Sequence, residues 1–442
     1  MVVINKKVKR IIEKDKRIIF TTTREQYPFV VESGEGDFAY DVAGNRFIDF
    51  TSFISVYNFG VNGTKEVRNA VKAQVDKLMH AAFLDFYAEL PVIVAEKLLR
   101  FFPSGFGRVF FSNSGTEANE DAIKLARLFT SRPYFMSFYG AFHGRSLGSL
   151  ALTASKARHR KEFWPLPNVI HVPYANPYRC PFKADTPEEC ADACLSYIDT
   201  YVFSKTTAAD EFAAIFIEPI QGEGGYVVPP KEFIQGIRKI ASDNGIILVD
   251  DEVQAGMMRT GKFLALDNFG VKADIYTMAK ALGGGLPLGA TIAKRSFGDT
   301  PAGSHAGTFG GNLVSLAASN AVLDYIASHK KELEKAARTK GRLIMKRLEE
   351  LKSEYEIVGD VRGIGLMLAA EFVKSKETKE PAPKVRDFIV QDCFENGLLL
   401  LPAGDSVIRI IPPLTINIDN LNAGLDIFAN AVKKAATEFK IH

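Results

Sequence analysis

From about residue 90 the chain alternates short, continuously apolar runs with stretches in which apolar residues recur every three or four positions. Arg108 to Ser112, Ala213 to Ile217 and Gly245 to Val249 are the clearest runs. Their length and lack of alternation predict strands covered on both faces. Between them, Ala118, Ala122, Leu125, Ala126 and Phe129 share one face of a predicted helix. Strands separated by helices predict an α/β chain with a parallel or mixed sheet, whose ligands sit beyond the carboxyl ends of the strands.

The flanks read differently. Lys6 to Lys16 is a charged amphipathic stretch, and Phe38 to Phe50 a hairpin turning at Gly44-Asn45. After residue 313 the spacing predicts helices over Leu313 to Ile326 and Lys330 to Leu351. Gly363 to Phe372 and Val407 to Ile411 then read as the strands of a smaller α+β segment, with Lys374 to Lys384 as a surface loop. The expected division is an N-terminal segment (1–75) belonging to the smaller domain, a large domain (76–320) and a C-terminal small domain (321–442).

Composition narrows the function classes. The chain has 442 residues, 47% hydrophobic and 24% charged, with a net charge of +3. Its Lys and Arg are scattered among acids, without the field that holds a nucleic-acid backbone. No apolar run approaches a membrane span, and the start of the chain lacks a signal-peptide pattern, so the expected location is the cytoplasm. The four cysteines lack the paired C-x2-C spacing of a zinc site, and reduced thiols with no metal are expected.

Candidate chemistry gathers just after the apolar runs. Asp251 follows Val249; a carboxylate there needs a cation or hydrogen bonds to stay ionised. Lys280 stands between an apolar run and the glycine-rich Gly283 to Gly285. Desolvation would lower its amine's pKa and favour attack on an aldehyde. Ser114, Gly115 and Thr116 mark a strand-to-helix junction able to hold a phosphate, although Ser and Thr there also serve as plain caps. Thr308 could add a hydroxyl, and Phe142 and His143 could cover a planar ring. Arg145, Arg409 and Glu223 are candidates for gripping or balancing a substrate carboxylate.

In order along the chain, Asn113 to Glu120, Phe142 to Arg145, Glu218 to Gly225, Asp251 to Gln254, Lys280, Gly307 to Asn312 and Arg409 to Leu414 resemble the class III aminotransferases. These are enzymes of fold type I that depend on pyridoxal 5′-phosphate (PLP), a group including 4-aminobutyrate and ornithine aminotransferases. The resemblance runs from about residue 25 to the C-terminus. It implies a large mixed seven-stranded sheet with helices on both faces, plus a smaller α+β domain drawn from both termini.

It also implies roles. Lys280 would carry the cofactor and then move the proton, while Asp251 would pair with the pyridine nitrogen. Val253 would pack on the ring, Gln254 would bond its phenolic oxygen, and Phe142 and His143 would stack on and support it. Ser114, Gly115 and Thr116 would hold the phosphate, with Thr308 arriving from the partner subunit of a homodimer. Glu218 joins the cofactor set through its motif. Ile54 and Arg145 would line the substrate pocket, Arg409 would bind the α-carboxylate, and Glu223 would mask that arginine.

The implied reaction moves an amino group from a 4-aminobutyrate- or ornithine-like donor to 2-oxoglutarate by ping-pong kinetics. An amino-acid racemase or epimerase using the same site is the nearest rival, and a binding protein without turnover a distant one. Where the family often has glycine, this chain has Phe53 and Met258. It also has Tyr57 where an aliphatic residue is usual, Phe142 where Tyr is frequent, and Gly60 to Lys65 in place of a Gly-His-x-His-Pro run.

Overall fold

The computed structural model describes residues 2–20, 27–83, 85–163 and 168–441. The chain divides into two compact units, one formed by 65–331 and the other by 1–64 with 332–442.

The larger unit is built on a seven-stranded sheet. Its strands are β1 (Phe106–Ser112), β2 (Tyr134–Phe138), β3 (Val169–Val172), β4 (Phe212–Ile217), β5 (Ile247–Asp251), β6 (Ile275–Met278) and β7 (Gly289–Lys294). Their spatial order is β1-β7-β6-β5-β4-β2-β3. All ladders from β6 to β3 are parallel, and β7 runs antiparallel to both its neighbours. Every residue of β4 and β5 is buried, the condition of a strand covered on both faces. The Gly115–Thr130 helix buries Ala118, Ala122, Ile123 and Ala126, and several of these meet Phe135, Phe216 and Val249 in one apolar cluster. The seven-stranded α/β expectation therefore holds.

In the other unit the expected hairpin forms between Phe38–Asp41 and Arg46–Asp49. A second sheet contains Val358–Ile364, Met367–Phe372, Leu401–Ala403 and Val407–Ile410. Here the strand expected over Gly363 to Phe372 is corrected. Ile364 pairs with Met367 across a tight turn, and Gly365 takes φ 62°. A glycine with positive φ reverses the chain inside what reads as one apolar run.

The expectation of reduced thiols is corrected too. Cys180 and Cys190 form a disulfide with Cα atoms 5.8 Å apart, within bridging range. The Asn176 side chain caps the short turn Pro177–Arg179. The chain then returns to the Pro187–Tyr197 helix, which Thr186 caps and which carries Cys190. Cys194 and Cys393 are free and buried.

No helix among the described residues is long and apolar enough to cross a membrane.

Candidate functional site

Five strands of the large sheet deliver the expected residues at their carboxyl ends. β1 runs into Ser114, β2 into Phe142 and His143, β4 into Glu218, β5 ends on Asp251, and β6 leads to Lys280.

Ser114 is the N-cap of the Gly115–Thr130 helix, its hydroxyl accepting the Glu117 N–H at 3.3 Å. Glu117 in turn accepts the Asn113 N–H at 2.6 Å. The Thr116 hydroxyl accepts the N–H groups of Arg145 and Ser146, both at 3.2 Å, and shares a hydrogen bond with the Ser146 hydroxyl at 2.7 Å. Both hydroxyls are thus engaged within the fold. The first-turn N–H groups of Gly115 and Thr116 have no acceptor inside the helix and sit at its positive end. A Cβ on Gly115 would lie 2.8 Å from Val253 Cγ1, so only glycine lets Val253 pack over this helix start.

Asp251 is the most thoroughly held side chain. Its Oδ2 accepts from Asn119 Nδ2 at 2.8 Å and lies 2.8 Å from His143 Nδ1; Oδ1 accepts the Val253 N–H at 3.0 Å. Asn119 also donates to the His143 carbonyl at 2.7 Å and accepts from the Thr277 hydroxyl at 2.9 Å. His143 is fixed from behind, because its N–H donates to the Thr153 hydroxyl at 2.9 Å. Asn119 and Thr277 had no assigned role in the sequence. The available signal is an Asn among the small apolar residues of the helix's buried face, next to Ala118 and Ala122.

Glu218 accepts the Phe142 N–H at 2.9 Å and the Gly222 N–H at 3.0 Å, tying the turn after β2 to the turn after β4. Burial pushes its carboxyl up to about 7; His143 and these two N–H donors pull downward, and Asp251 pushes further up. Gln254 is held close to the same turn, since a Cβ on Gly222 would come within 2.8 Å of its Oε1. That oxygen is buried with no partner among the described residues.

Glu223 forms an ion pair with Lys156 at 2.6 Å. The Arg145 guanidinium lies 5.7 Å from the Phe142 ring centre, and the His159 ring meets Phe142 edge-on at 5.9 Å. Lys280 is half-buried with φ 49°, opening a short 3-10 turn. Thr308 is exposed.

Ile54 and Arg409 belong to the other unit. Ile54 takes φ 65° within a left-handed run from Ser52 to Ser55. Arg409 is buried and donates through Nε and Nη2 to the Pro402 carbonyl at 3.1 and 2.9 Å.

A lysine in the turn after β6, the strand next to the one that ends on a hydrogen-bonded aspartate, together with a glycine-opened helix start, belongs to a PLP-dependent enzyme of fold type I. The family model for class III aminotransferases matches residues 19–432, and the chain belongs to that family. Among its relatives, a leucine/methionine racemase of Thermococcus litoralis is 39% identical over 96% of this chain and 95% of its own length. A 4-aminobutyrate aminotransferase of Mycobacterium leprae is 38% identical over 91% of this chain and 90% of its own. Further relatives carry both kinds of name, alanine/serine racemase and isoleucine 2-epimerase beside acetylornithine aminotransferase. Of the solved structures, an omega transaminase from Pseudomonas jessenii in complex with PMP aligns with a TM-score of 0.89 at 25% identity, covering 97% of this chain and 98% of that one.

Proposed function

We propose that the protein is an aminotransferase, passing an amino group from a 4-aminobutyrate- or ornithine-like donor to 2-oxoglutarate in two alternating half-reactions. The residues fit a phosphorylated pyridine. Gly115 keeps the helix start open, Asp251 Oδ1 has spare acceptor capacity beyond the Val253 N–H, and Gln254 Oε1 is an orphaned acceptor. Asp251 would hold the ring nitrogen, the Gly115 and Thr116 N–H groups the phosphate, and Lys280 the aldehyde carbon. When bound, PLP supplies an electron sink for the carbon that bears the substrate nitrogen.

The remaining work falls to the chain. Lys280 removes the proton from that carbon and returns it elsewhere. His143 and Asn119 hold Asp251 in place. Glu218 fixes the Phe142 backbone, which would set its side chain against the ring. Thr308, exposed beside the exposed Phe309, would lie where a second copy covers it, making the assembly a homodimer.

One observation favours transamination over racemisation, namely the Glu223–Lys156 ion pair. Racemisation needs a second group with a proton to give. Glu223 is committed to the Lys156 ammonium at 2.6 Å, the arrangement of a charge partner rather than of an isolated acid. The racemase reading retains support from the relatives that bear that name. The test mixes holoenzyme with 4-aminobutyrate, L-ornithine, L-alanine and D-alanine separately, following cofactor absorbance without any oxo acid. Conversion to the amino form, reversed by 2-oxoglutarate, is expected. An unchanged cofactor band together with interconversion of alanine enantiomers would sink the transaminase reading.

A further inference from the structure

We propose that Glu120 is a positioning residue for the cofactor's phosphate. It locks a cluster of three hydroxyls so that the Gly115 helix start offers the phosphate backbone N–H groups rather than the Thr116 hydroxyl. The proposal rests on the placement of the phosphate at Gly115 and Thr116, and it holds whether the enzyme transaminates or racemises.

Glu120 lies one turn beyond Thr116 on the Gly115–Thr130 helix, so the two side chains share a face. Its Oε1 accepts the Ser146 hydroxyl at 2.6 Å and the Ser149 N–H at 2.9 Å. Ser149 is the third residue of the Leu147–Leu152 helix, whose N-cap, Ser146, makes no side-chain cap bond. An N-cap serine ordinarily accepts that third N–H itself. Here Glu120 accepts it from the neighbouring helix, and the serine hydroxyl is released to donate to the same carboxyl oxygen. Two glycines allow so close an approach. A Cβ on Gly148 would collide with Glu120 Oε2, and one on Gly144 with the hydroxyls of Thr116 and Ser149.

A hydroxyl has one hydrogen and two lone pairs, and here the count closes. Ser146 gives its hydrogen to Glu120, and Ser149 donates to the Ser146 carbonyl at 3.2 Å. Thr116 Oγ1 accepts the N–H groups of Arg145 and Ser146, which fills both its lone pairs. Its hydrogen therefore goes to one of the two serine hydroxyl oxygens it touches. The Thr116 hydroxyl is saturated and turned into the fold, while the N–H groups of Gly115 and Thr116 take no part in the cluster. Glu120 is the acceptor that ends the chain of bonds and so fixes their direction. The ring side is anchored separately. Glu218 holds the Phe142 N–H, and Thr153 accepts the His143 N–H and donates to the Gly144 carbonyl at 3.0 Å. Glu120 takes part in none of these bonds, so its loss should be felt at the phosphate and not at the ring.

The test titrates cofactor-free protein with PLP and with pyridoxal, which keeps the ring and aldehyde and lacks the phosphate, following the absorbance of each. In Glu120→Ala the Kd for PLP should rise about 10- to 100-fold, the range for a buried donor left without its acceptor, while that for pyridoxal stays within about threefold. Glu120→Gln keeps an acceptor at Oε1 and should match wild type with both ligands. Ser146→Ala removes only the hydroxyl that Glu120 accepts and should weaken PLP in the same selective way; it carries the test if Glu120→Ala fails to fold. A glutamate that merely ties two helices together would lower the unfolding midpoint of the alanine variant and leave the ratio of the two Kd values as in wild type. That result overturns the proposal, as does equal weakening of both ligands, or a glutamine variant that behaves like the alanine one. If wild type itself binds PLP no better than pyridoxal, the placement of the phosphate fails first, and the role of Glu120 falls with it.

Discussion

Asp250 and Asp251 are adjacent on one strand, equally buried, and opposite in every chemical respect. Side chains alternate across a sheet, so the two carboxyls face different environments. Asp251 meets Asn119, His143 and the Val253 N–H. Asp250 meets no N–H or hydroxyl donor among the described residues, and its partner is the buried Glu252 carboxyl, with which it shares a hydrogen bond. Burial, then repulsion from Glu252, drives Asp250 well above the ordinary carboxylate range. Burial likewise pushes Glu252 up to about 7, though the Ala265 and Leu266 N–H groups lower it in part. Burial alone therefore does not make a carboxylate functional. The donors around it distinguish the carboxyl at the site from the one behind it.

The largest effect should come from replacing the carboxyl at the site. Asp251→Asn is expected to lower kcat/KM about a thousandfold, roughly 4 kcal/mol of transition-state stabilisation. Asp250→Asn alters a carboxyl outside the hydrogen-bond network that holds Asp251 and should change it less than about tenfold by the same conversion. Comparable losses in the two variants would erase the contrast. Next comes Asn119→Ala, which strips a donor from Asp251 and from the His143 carbonyl and leaves the Thr277 hydroxyl without its acceptor. A loss of about 2 to 3 kcal/mol in urea unfolding is expected, because buried partners of a charged group are left unsatisfied. A loss below about 0.5 kcal/mol, the level of a neutral surface change, would show that Asp251 does not depend on this scaffold.

How much of this contrast is legible in the sequence depends on how local the signal is. Lys280, Asp251 and the Gly115 helix start stand at strand ends, and apolar runs place strand ends well. Backbone strain was half visible. Phe53 and Met258, where the family resemblance leads one to expect glycine, take φ 48° and 70°, conformations that glycine adopts without strain. What stayed hidden needed tertiary contact. Lys156 is 67 residues from Glu223, and nothing near either announces the other. The turn at Gly365 and the Cys180–Cys190 bond escaped because a single positive φ, or one capped turn, brings distant atoms together without altering hydrophobic periodicity.

The buried acids also make a pH prediction. A carboxyl whose folded pKa is raised contributes stability that is fully present below its unfolded pKa and is lost as pH rises through the folded one. For Glu252 that window runs from its ordinary value near 4.5 up to about 7. His171 acts in an overlapping window with the opposite sign. Burial and then Arg160 lower it to about 4, so its contribution is lost as pH falls from 6.5 towards 4. The comparison must therefore be made between variants. Glu252→Gln keeps an acceptor for the Leu266 N–H and should gain about 1 to 2 kcal/mol on wild type between pH 5 and pH 8, with Asp250 sharing the proton load. If wild type and variant follow parallel stability curves across that range, Glu252 is charged throughout.

The smallest effect sharpens what the site side gives up. Its aspartate is held by donors, yet its lysine is held in a conformation that L-residues avoid, with Lys280 at φ 49°. A left-handed non-glycine residue costs about 1 to 2 kcal/mol. Lys280→Ala retains that cost and Lys280→Gly removes it, while glycine's looser unfolded chain takes back part of the gain. In cofactor-free protein the glycine variant should therefore exceed the alanine variant by about 0.5 to 1 kcal/mol in urea unfolding. Both lack the amine, so the difference reads backbone strain without any contribution from the cofactor. An alanine variant at least as stable as the glycine one would mean that the turn relaxes once the long side chain is gone. The strain would then belong to the lysine's placement rather than to the fold around it.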